Sequence, residues 1–511
     1  MRFIVCIITL LCSSSILCAQ STFMYRYLAN GDAAASSAFH FMESKDGGYI
    51  AGASCDHKGN EDFVFFKFDE NGDYVWNQIV GSDWYENYSF SFHHQTFDYS
   101  PTDEDMFYAV EAHPTNTVTN IRPAVIRFDM DTESAAFIRI IDTALVYPTS
   151  LTYDPVDDAC ILASCISDLN LLNTASARPT LLHKFDATGN VVWQQQIIDT
   201  TNSAQPTFGA LKIFDMCFLS DGNLLISGSA GVNDPALHLV KMNPQTGALI
   251  WKQRYLDSAN PSSILIGYDI EELASGEILI CGNYIGAAGD RDILLLRLKL
   301  GTLGEIQQGR MRILGTPNSN ETAYSVAASS DGYILGGGTA DIGGSGMGMT
   351  AGAPAFLMKF NSSDAVEWFS SYYLNNILDV SSSGKVFRVR SSSDGGFIAS
   401  AGRYEGLATA DGYLNVMIKT DSKGRIGGDL ECISRNYQLY PPEPPIRKGT
   451  VGAISYPPLN LGLRQTTHIM TVPSNIVFAP TTIGATSVPV TRNDARKFTP
   501  NSVPCPTCNC K

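Results

Sequence analysis

The chain has 511 residues, of which 44% are hydrophobic and 17% charged, and its formal net charge is −16. So acidic a balance excludes a chain built to hold nucleic acid along its length, because phosphate backbones are gripped by clustered Lys and Arg. With 44 Gly, 22 Tyr and 25 Phe, the composition suits short strands and tight turns better than long helices.

Residues 1–19 read as a signal peptide, with Arg2 as the positive start, an apolar run from Phe3 to Leu11, and Leu17-Cys18-Ala19 before Gln20. The run is shorter than the roughly 18 to 20 residues of a permanent anchor, and no later stretch reaches that length, so no transmembrane segment is expected. Secretion or a cell-surface position follows as the expectation, with the periplasm as a further option. Lipid attachment at Cys18 is the weaker alternative, since bulky Leu17 stands where that processing takes a small residue.

From residue 20 to 432 one pattern recurs: a turn, a glycine-containing apolar strand, a loop, an apolar strand with a basic residue, a second turn, and often Trp. It is clearest as Asp46-Gly47-Gly48-Tyr49-Ile50-Ala51-Gly52, followed by Phe63 to Phe68 with Lys67, then Asp69-Glu70-Asn71-Gly72 and Trp76. Further copies begin at Asp221-Gly222, Asp331-Gly332 and Asp394-Gly395. The basic markers Lys67, Arg127, Lys184, Lys241, Arg297, Lys359 and Lys419 follow one another at spacings of 60, 57, 57, 56, 62 and 60. Trp76, Trp193, Trp251 and Trp368 share one repeat position, where Phe137 and Ile306 stand in two other copies.

Each copy supplies four short strands, in the first about Ala38 to Met42, Tyr49 to Ala53, Phe63 to Phe68 and Tyr74 to Val80. Asp-Gly and Asn-Gly at the bends suit tight hairpins. One such sheet cannot bury both faces, whereas a ring of them can. The fold class is therefore all-β, a seven-bladed β-propeller of four-stranded antiparallel blades. The seventh copy lacks its last strand, and the spare N-terminal strand Phe23 to Leu28 is expected to supply it, closing the ring.

At these residues the chain resembles the secreted β-propeller repeat proteins of Bacteroidota, whose repeats look like Asp-Gly-Gly-Tyr-Ile-x-Ala-Gly followed by a Lys-x-Asp-x-x-Gly-x-x-x-Trp hairpin. The resemblance spans roughly residues 22 to 432 and implies a fold and a location at or beyond the outer membrane, with no defined activity. Thr471-Val472-Pro473 and Val488-Pro489-Val490-Thr491 resemble the continuation found in such proteins; the C-terminal sorting domain that many of them carry is not evident here.

Residues 433–511 hold twelve of the 24 prolines and eight Lys/Arg against two Asp/Glu. Proline lacks a ladder donor, so this segment cannot be a blade. It is expected to be an extended, Pro/Thr/Val-rich basic arm with a few edge strands, for instance near Thr467 to Val472 and Asn475 to Phe478, either a linker or a cationic strap on an acidic propeller, its own or a neighbour's. Of the nine cysteines beyond the signal peptide, Cys55, Cys160, Cys165, Cys217 and Cys281 lie in apolar runs as buried thiols. Cys432, Cys505, Cys508 and Cys510 are candidates for disulfides or, with a fourth ligand, a soft metal.

No metalloprotease, P-loop or nucleophile-elbow motif is present, and no cofactor is expected. Gly343 to Gly348 reads as a rim loop, and Asp69 to Asp73 as a turn rather than a calcium loop. His93-His94 is placed on the inner strand of the second blade, where alternation keeps the pair from chelating together. Trp84, Tyr85, Tyr284, Tyr372, Tyr373 and Tyr404 are the expected rim aromatics for a protein or glycan partner. The leading expectation is a non-enzymatic binding or assembly subunit, with the arm for docking. One rival is a polysaccharide hydrolase or lyase, which would need converging carboxylates at the channel mouth; another is a structural cell-surface repeat protein.

Overall fold

The computed structural model describes residues 22–27, 40–57, 60–81, 85–87, 96–113, 121–141, 146–166, 180–199, 212–229, 236–255, 257, 260, 262–286, 289, 291–301, 306–315, 320–339, 355–372, 384–404, 413–426, 434–436, 447–449, 461–462 and 484–486. These residues form seven antiparallel sheets. Blade one runs from axis to rim as His40–Glu43, Tyr49–His57, Asn60–Phe68 and Tyr74–Gly81. Blades three to six repeat that order over 146–199, 212–255, 264–314 and 321–372. Blade two differs in having two short strands, Tyr85–Asn87 and Phe97–Tyr99, paired with Met106–His113. Inner strands of successive blades lie side by side, and that of blade seven, Gly384–Ser391, reaches back to His40–Glu43.

The ring closes as the repeat predicts. Phe23–Tyr27 pairs antiparallel with Tyr413–Thr420, Phe23 opposite Lys419 and Tyr27 opposite Asn415, and becomes the outer strand of blade seven. Phe23 is buried and meets Tyr49 of blade one edge-on at 5.8 Å, so the closing strand also ties the last blade to the first.

The repeated residues form two kinds of clamp. Inside the blade, the basic marker on the third strand meets an acid at the first turn: Lys67 with Asp46 at 2.8 Å, Arg127 with Asp105 at 2.7 Å, Lys241 with Asp221 at 2.5 Å, Lys359 with Asp331 at 2.6 Å and Lys419 with Asp394 at 2.6 Å. Lys184 meets Asp154 at 2.7 Å and Arg297 meets Glu277 at 2.5 Å. Between blades, the tryptophan opposite the marker leans on the next hairpin. Trp193 donates to the Pro244 carbonyl at 2.8 Å and Trp368 to that of Ser422 at 3.1 Å. The Trp368 ring lies so close to Gly424, which has φ +70°, that a Cβ there would stand 2.4 Å from it. The turn glycine thus supplies both a left-handed backbone and a seat for the neighbouring indole. Phe137 takes the tryptophan's place opposite Arg127, but Ile306 does not take it opposite Arg297: Arg310 faces Arg297, and Ile306 pairs with Leu300.

The two faces of the ring differ. Turns on one side are short, as at 44–48, 69–73, 219–223 and 392–396, while the strand ends on the other side flank 167–179, 200–211, 340–354 and 373–383. Asp69 accepts from the N–H groups of Asn71 and Asp73 in one of the tight turns, the hairpin chemistry expected there.

Four short strands of the C-terminal arm sit on outer blade edges. Ser434–Asn436 pairs with blade six, Arg447–Gly449 with blade five, Leu461–Gly462 with blade three and Gly484–Thr486 with blade one. The docking points follow the ring backwards. Residues 1–19, the edge strands expected near 467–472 and 475–478, His93-His94, Gly343 to Gly348, Cys432, Cys505, Cys508 and Cys510 lie outside the described residues.

Candidate functional site

The innermost strands carry a device that periodicity alone does not reveal. In blades three to seven the pairing of first and second strands slips by one residue, between Pro148 and Ser150, Ile213 and Asp215, Gly267 and Asp269, Ala323 and Ser325, and Val386 and Arg388. A bulge of this kind leaves one extra residue unpaired and re-aims its side chain. The extra residues are Thr149, Phe214, Tyr268, Tyr324 and Phe387.

Phe214, Tyr268 and Tyr324 meet one another across three blades, with ring centroids 5.1 Å and 5.6 Å apart, which places them on the axis side of the inner strands. Lys212 lies over the Phe214 ring at 5.3 Å and Lys385 over that of Tyr324 at 5.4 Å. Both lysines stand at the start of their strands, on the side of the long connections. Aromatic rings from blades four to six therefore line the channel, with ammonium groups on the loop side.

In blades four to six the residue after the bulge fastens its blade to the next. Asp215 Oδ2 accepts from the Ile270 N–H at 2.9 Å, and Asp269 Oδ2 accepts from Val326 N–H at 2.7 Å and from the Ser325 hydroxyl at 2.6 Å. Ser325 Oγ in turn accepts from the Val389 N–H at 3.1 Å. In blade two Asp98 does the same, accepting from the Tyr153 N–H at 2.8 Å. Arg388 crosses to the Phe97 carbonyl at 2.6 Å, and His40 stacks on the Phe97 ring at 6.1 Å.

This belt holds unusual protonation states. Burial, and then the neighbouring carboxyl of Asp269, push the Asp215 carboxyl well above the usual carboxylate range. Burial likewise raises Glu271, and it pulls His40 down to about 3 with help from Arg388 and Arg390. Desolvation lowers Arg388, whereas Asp269 and Glu271 outweigh desolvation at Arg390 and hold its guanidinium above its ordinary value.

A carboxyl held above the carboxylate range beside a second one is the raw material of acid–base catalysis. Here Asp215 is 6% exposed and Asp269 1%, and each is engaged by the backbone of the next blade. The converging carboxylates that the hydrolase reading requires are present, but they face a neighbouring strand rather than a ligand. Among the described residues no group of three or more His, Cys, Asp or Glu side chains is arranged to hold a metal ion.

The expected rim aromatics divide. Tyr284 and Tyr372 are buried, which corrects their assignment to a binding rim: the strands Glu277–Ile285 and Val366–Tyr372 extend far enough to take both rings into the sheets. Their hydroxyls are also engaged, Tyr284 with Asp257 Oδ2 at 3.0 Å and Tyr372 with the Gly424 carbonyl at 2.7 Å. Tyr85 and Tyr404 stand at strand ends on the loop side, and Trp84 and Tyr373 lie outside the described residues. Composition had no means of flagging Lys212, Lys385 or the bulged aromatics, because a one-residue slip leaves the repeat length almost unchanged. The signal was nonetheless there, in an aromatic ahead of a polar residue at Phe214-Asp215, Tyr268-Asp269, Tyr324-Ser325 and Phe387-Arg388.

No family model matches the chain, and no curated protein matches it. Among solved structures it is similar to NanB sialidase from Streptococcus pneumoniae, at 9% identity over 79% of this chain and 71% of that one, with a TM-score of 0.40. A protein of unknown function from Dyadobacter fermentans aligns at 7% identity over 78% of this chain and 98% of that one, with a TM-score of 0.38. A glucose dehydrogenase aligns at 10% identity over 64% of this chain and 97% of that one, with a TM-score of 0.34. What those proteins do is not transferred by such values; the propeller rests on the strand pairings of this chain.

Proposed function

We propose that the chain is an exported, non-enzymatic binding or assembly subunit that presents its partner with the long-loop face of the propeller. The observation that supports this reading is the state of the channel: its carboxyl groups fasten blades and buried rings line it, while the strand ends that flank the longest connections lie on one face. Loops on a rigid scaffold are the usual carriers of recognition. The basic arm completes the proposal as a strap. Its described strands extend the outer edges of four blades, which covers unpaired N–H and C=O groups by strand addition and brings positive charge to an acidic body.

Site-specific photo-crosslinkers test the reading in the cell that makes the protein. Probes at positions 173 and 346, on the long connections, should give discrete adducts, and probes at 71 and 423, in tight turns, should not. Adducts from the tight-turn face alone, or release of reducing ends from polysaccharide by the purified chain, would overturn it.

A further inference from the structure

The strongest unexplained feature is the loop-side mouth of the channel. Lys212, Phe214, Tyr268, Tyr324 and Lys385 form one continuous arc across blades four to seven, each step between 5.1 and 5.6 Å. Both lysines are half-buried. The third-strand lysines each meet a carboxylate, but no described carboxylate or hydrogen-bond acceptor meets Lys212, whose ammonium rests on a ring face. Polar groups beside the arc are also left open. Asn283 is 2% exposed, donates to the Tyr268 hydroxyl at 3.4 Å, and has no donor for its Oδ1 among the described residues. The Thr322 hydroxyl, fully buried two residues before Tyr324, is likewise without a partner there.

Charge around the channel runs against the chain as a whole. Lys212, Lys385, Arg388 and Arg390 gather around it on blades four and seven, in a protein of net charge −16. Lys212 and Lys385 each rest a cation on an aromatic face. A charge-assisted hydrogen bond to a carboxylate is stronger, so an incoming anion draws the flexible lysine stem off its ring. Cations paired with ring faces, hydroxyls and an amide match a ligand that carries negative charge, C–H faces and hydroxyls together. An acidic peptide would be matched better by a run of cations.

We propose that this mouth binds an acidic carbohydrate, with Lys212 and Lys385 taking its anionic groups and the Phe214–Tyr268–Tyr324 arc its sugar faces. The site deepens the binding reading above and rests on it.

Calorimetric titration of the full chain with hexagalacturonate, a sulfated hexasaccharide, maltohexaose and poly-glutamate tests it. At least one acidic sugar should bind about tenfold or more tightly than maltohexaose and than poly-glutamate, and the two acidic arms tell carboxylate from sulfate. Lys212→Met and Lys385→Met should each weaken that sugar about tenfold, and Lys423→Met, on the tight-turn face, should not. Lys212→Gln and Lys385→Gln repeat the test if a methionine variant fails to fold. The proposal falls if neither acidic sugar binds, if maltohexaose or poly-glutamate binds as tightly, or if the mouth variants match Lys423→Met. Loop-face crosslinks to a protein partner without acidic-sugar binding would remove this site and leave the platform reading standing.

Discussion

Asp215 and Asp269 occupy the same repeat position in adjacent blades, and opposite responses to substitution are expected of them. Asp269→Leu removes the acceptor of two hydrogen bonds, from Val326 N–H at 2.7 Å and Ser325 Oγ at 2.6 Å. A buried N–H left unpaired costs about 1–3 kcal/mol and a lost bond to a charged acceptor about 1.5–3 kcal/mol, so the loss should be about 3–5 kcal/mol. Asp215→Asn is different, because the native carboxyl is held well above the usual carboxylate range: the amide can donate toward Asp269 while its oxygen still accepts from Ile270. The sign of the pH dependence follows. A carboxyl whose folded pKa lies above its unfolded value binds more protons when folded, so stability falls as pH rises from the unfolded value through the folded one. Each unit of displacement is worth about 1.4 kcal/mol. An amide at this position carries no such slope, so Asp215→Asn should be more stable than wild type at pH 7, with the gap closing toward pH 4. The groups that set the slope face the site from two blades: Asp269 of blade five and Arg388 of blade seven, with Arg390 beside it. Urea unfolding followed by tryptophan fluorescence at several pH values gives both results. A destabilised Asp215→Asn at pH 7, or an Asp269→Leu loss below about 1 kcal/mol, would refute the reasoning.

Three further outcomes are expected. Phe23→Ala should lower stability by about 3–4 kcal/mol, read by urea unfolding, since the ring is 3% exposed at the junction of the last and first blades. Lys184→Met should cost about 3–5 kcal/mol because Asp154 is left fully buried without its cation, whereas Lys67→Met should cost less than about 1 kcal/mol because the side chain of Asp46 is 63% exposed; chemical denaturation of both variants separates the two. Gly424→Ala should cost about 2–4 kcal/mol through its positive φ and the clash with Trp368, and Gly222→Ala only about 1 kcal/mol, its φ of +79° having nothing within 4 Å; the difference is visible as unequal falls in Tm.

Much of the architecture was legible because a propeller repeats its chemistry. The basic markers counted the blades, and the missing strand of the seventh copy pointed to Phe23–Tyr27. The partners of those markers were less visible, because Asp46, Asp221 and Asp394 look like turn formers and meet the lysines only through the hairpin's geometry. Tyr284 and Tyr372 misled for the opposite reason. An aromatic near a strand end looks exposed until neighbouring chain, Asp257 and Gly424 here, folds over its hydroxyl. The channel was hidden most fully, since strict alternation assigns no side chain to the axis and a bulge is needed to put one there.

Hydrogen exchange at the inner strands measures most directly whether these blades are one sealed ring. The amides of Tyr153, Ile270, Val326 and Val389, each held by a side chain of the preceding blade, should exchange only through global unfolding and with a common denaturant dependence. Rapid exchange at these four sites, or blades that open one at a time, would contradict the account.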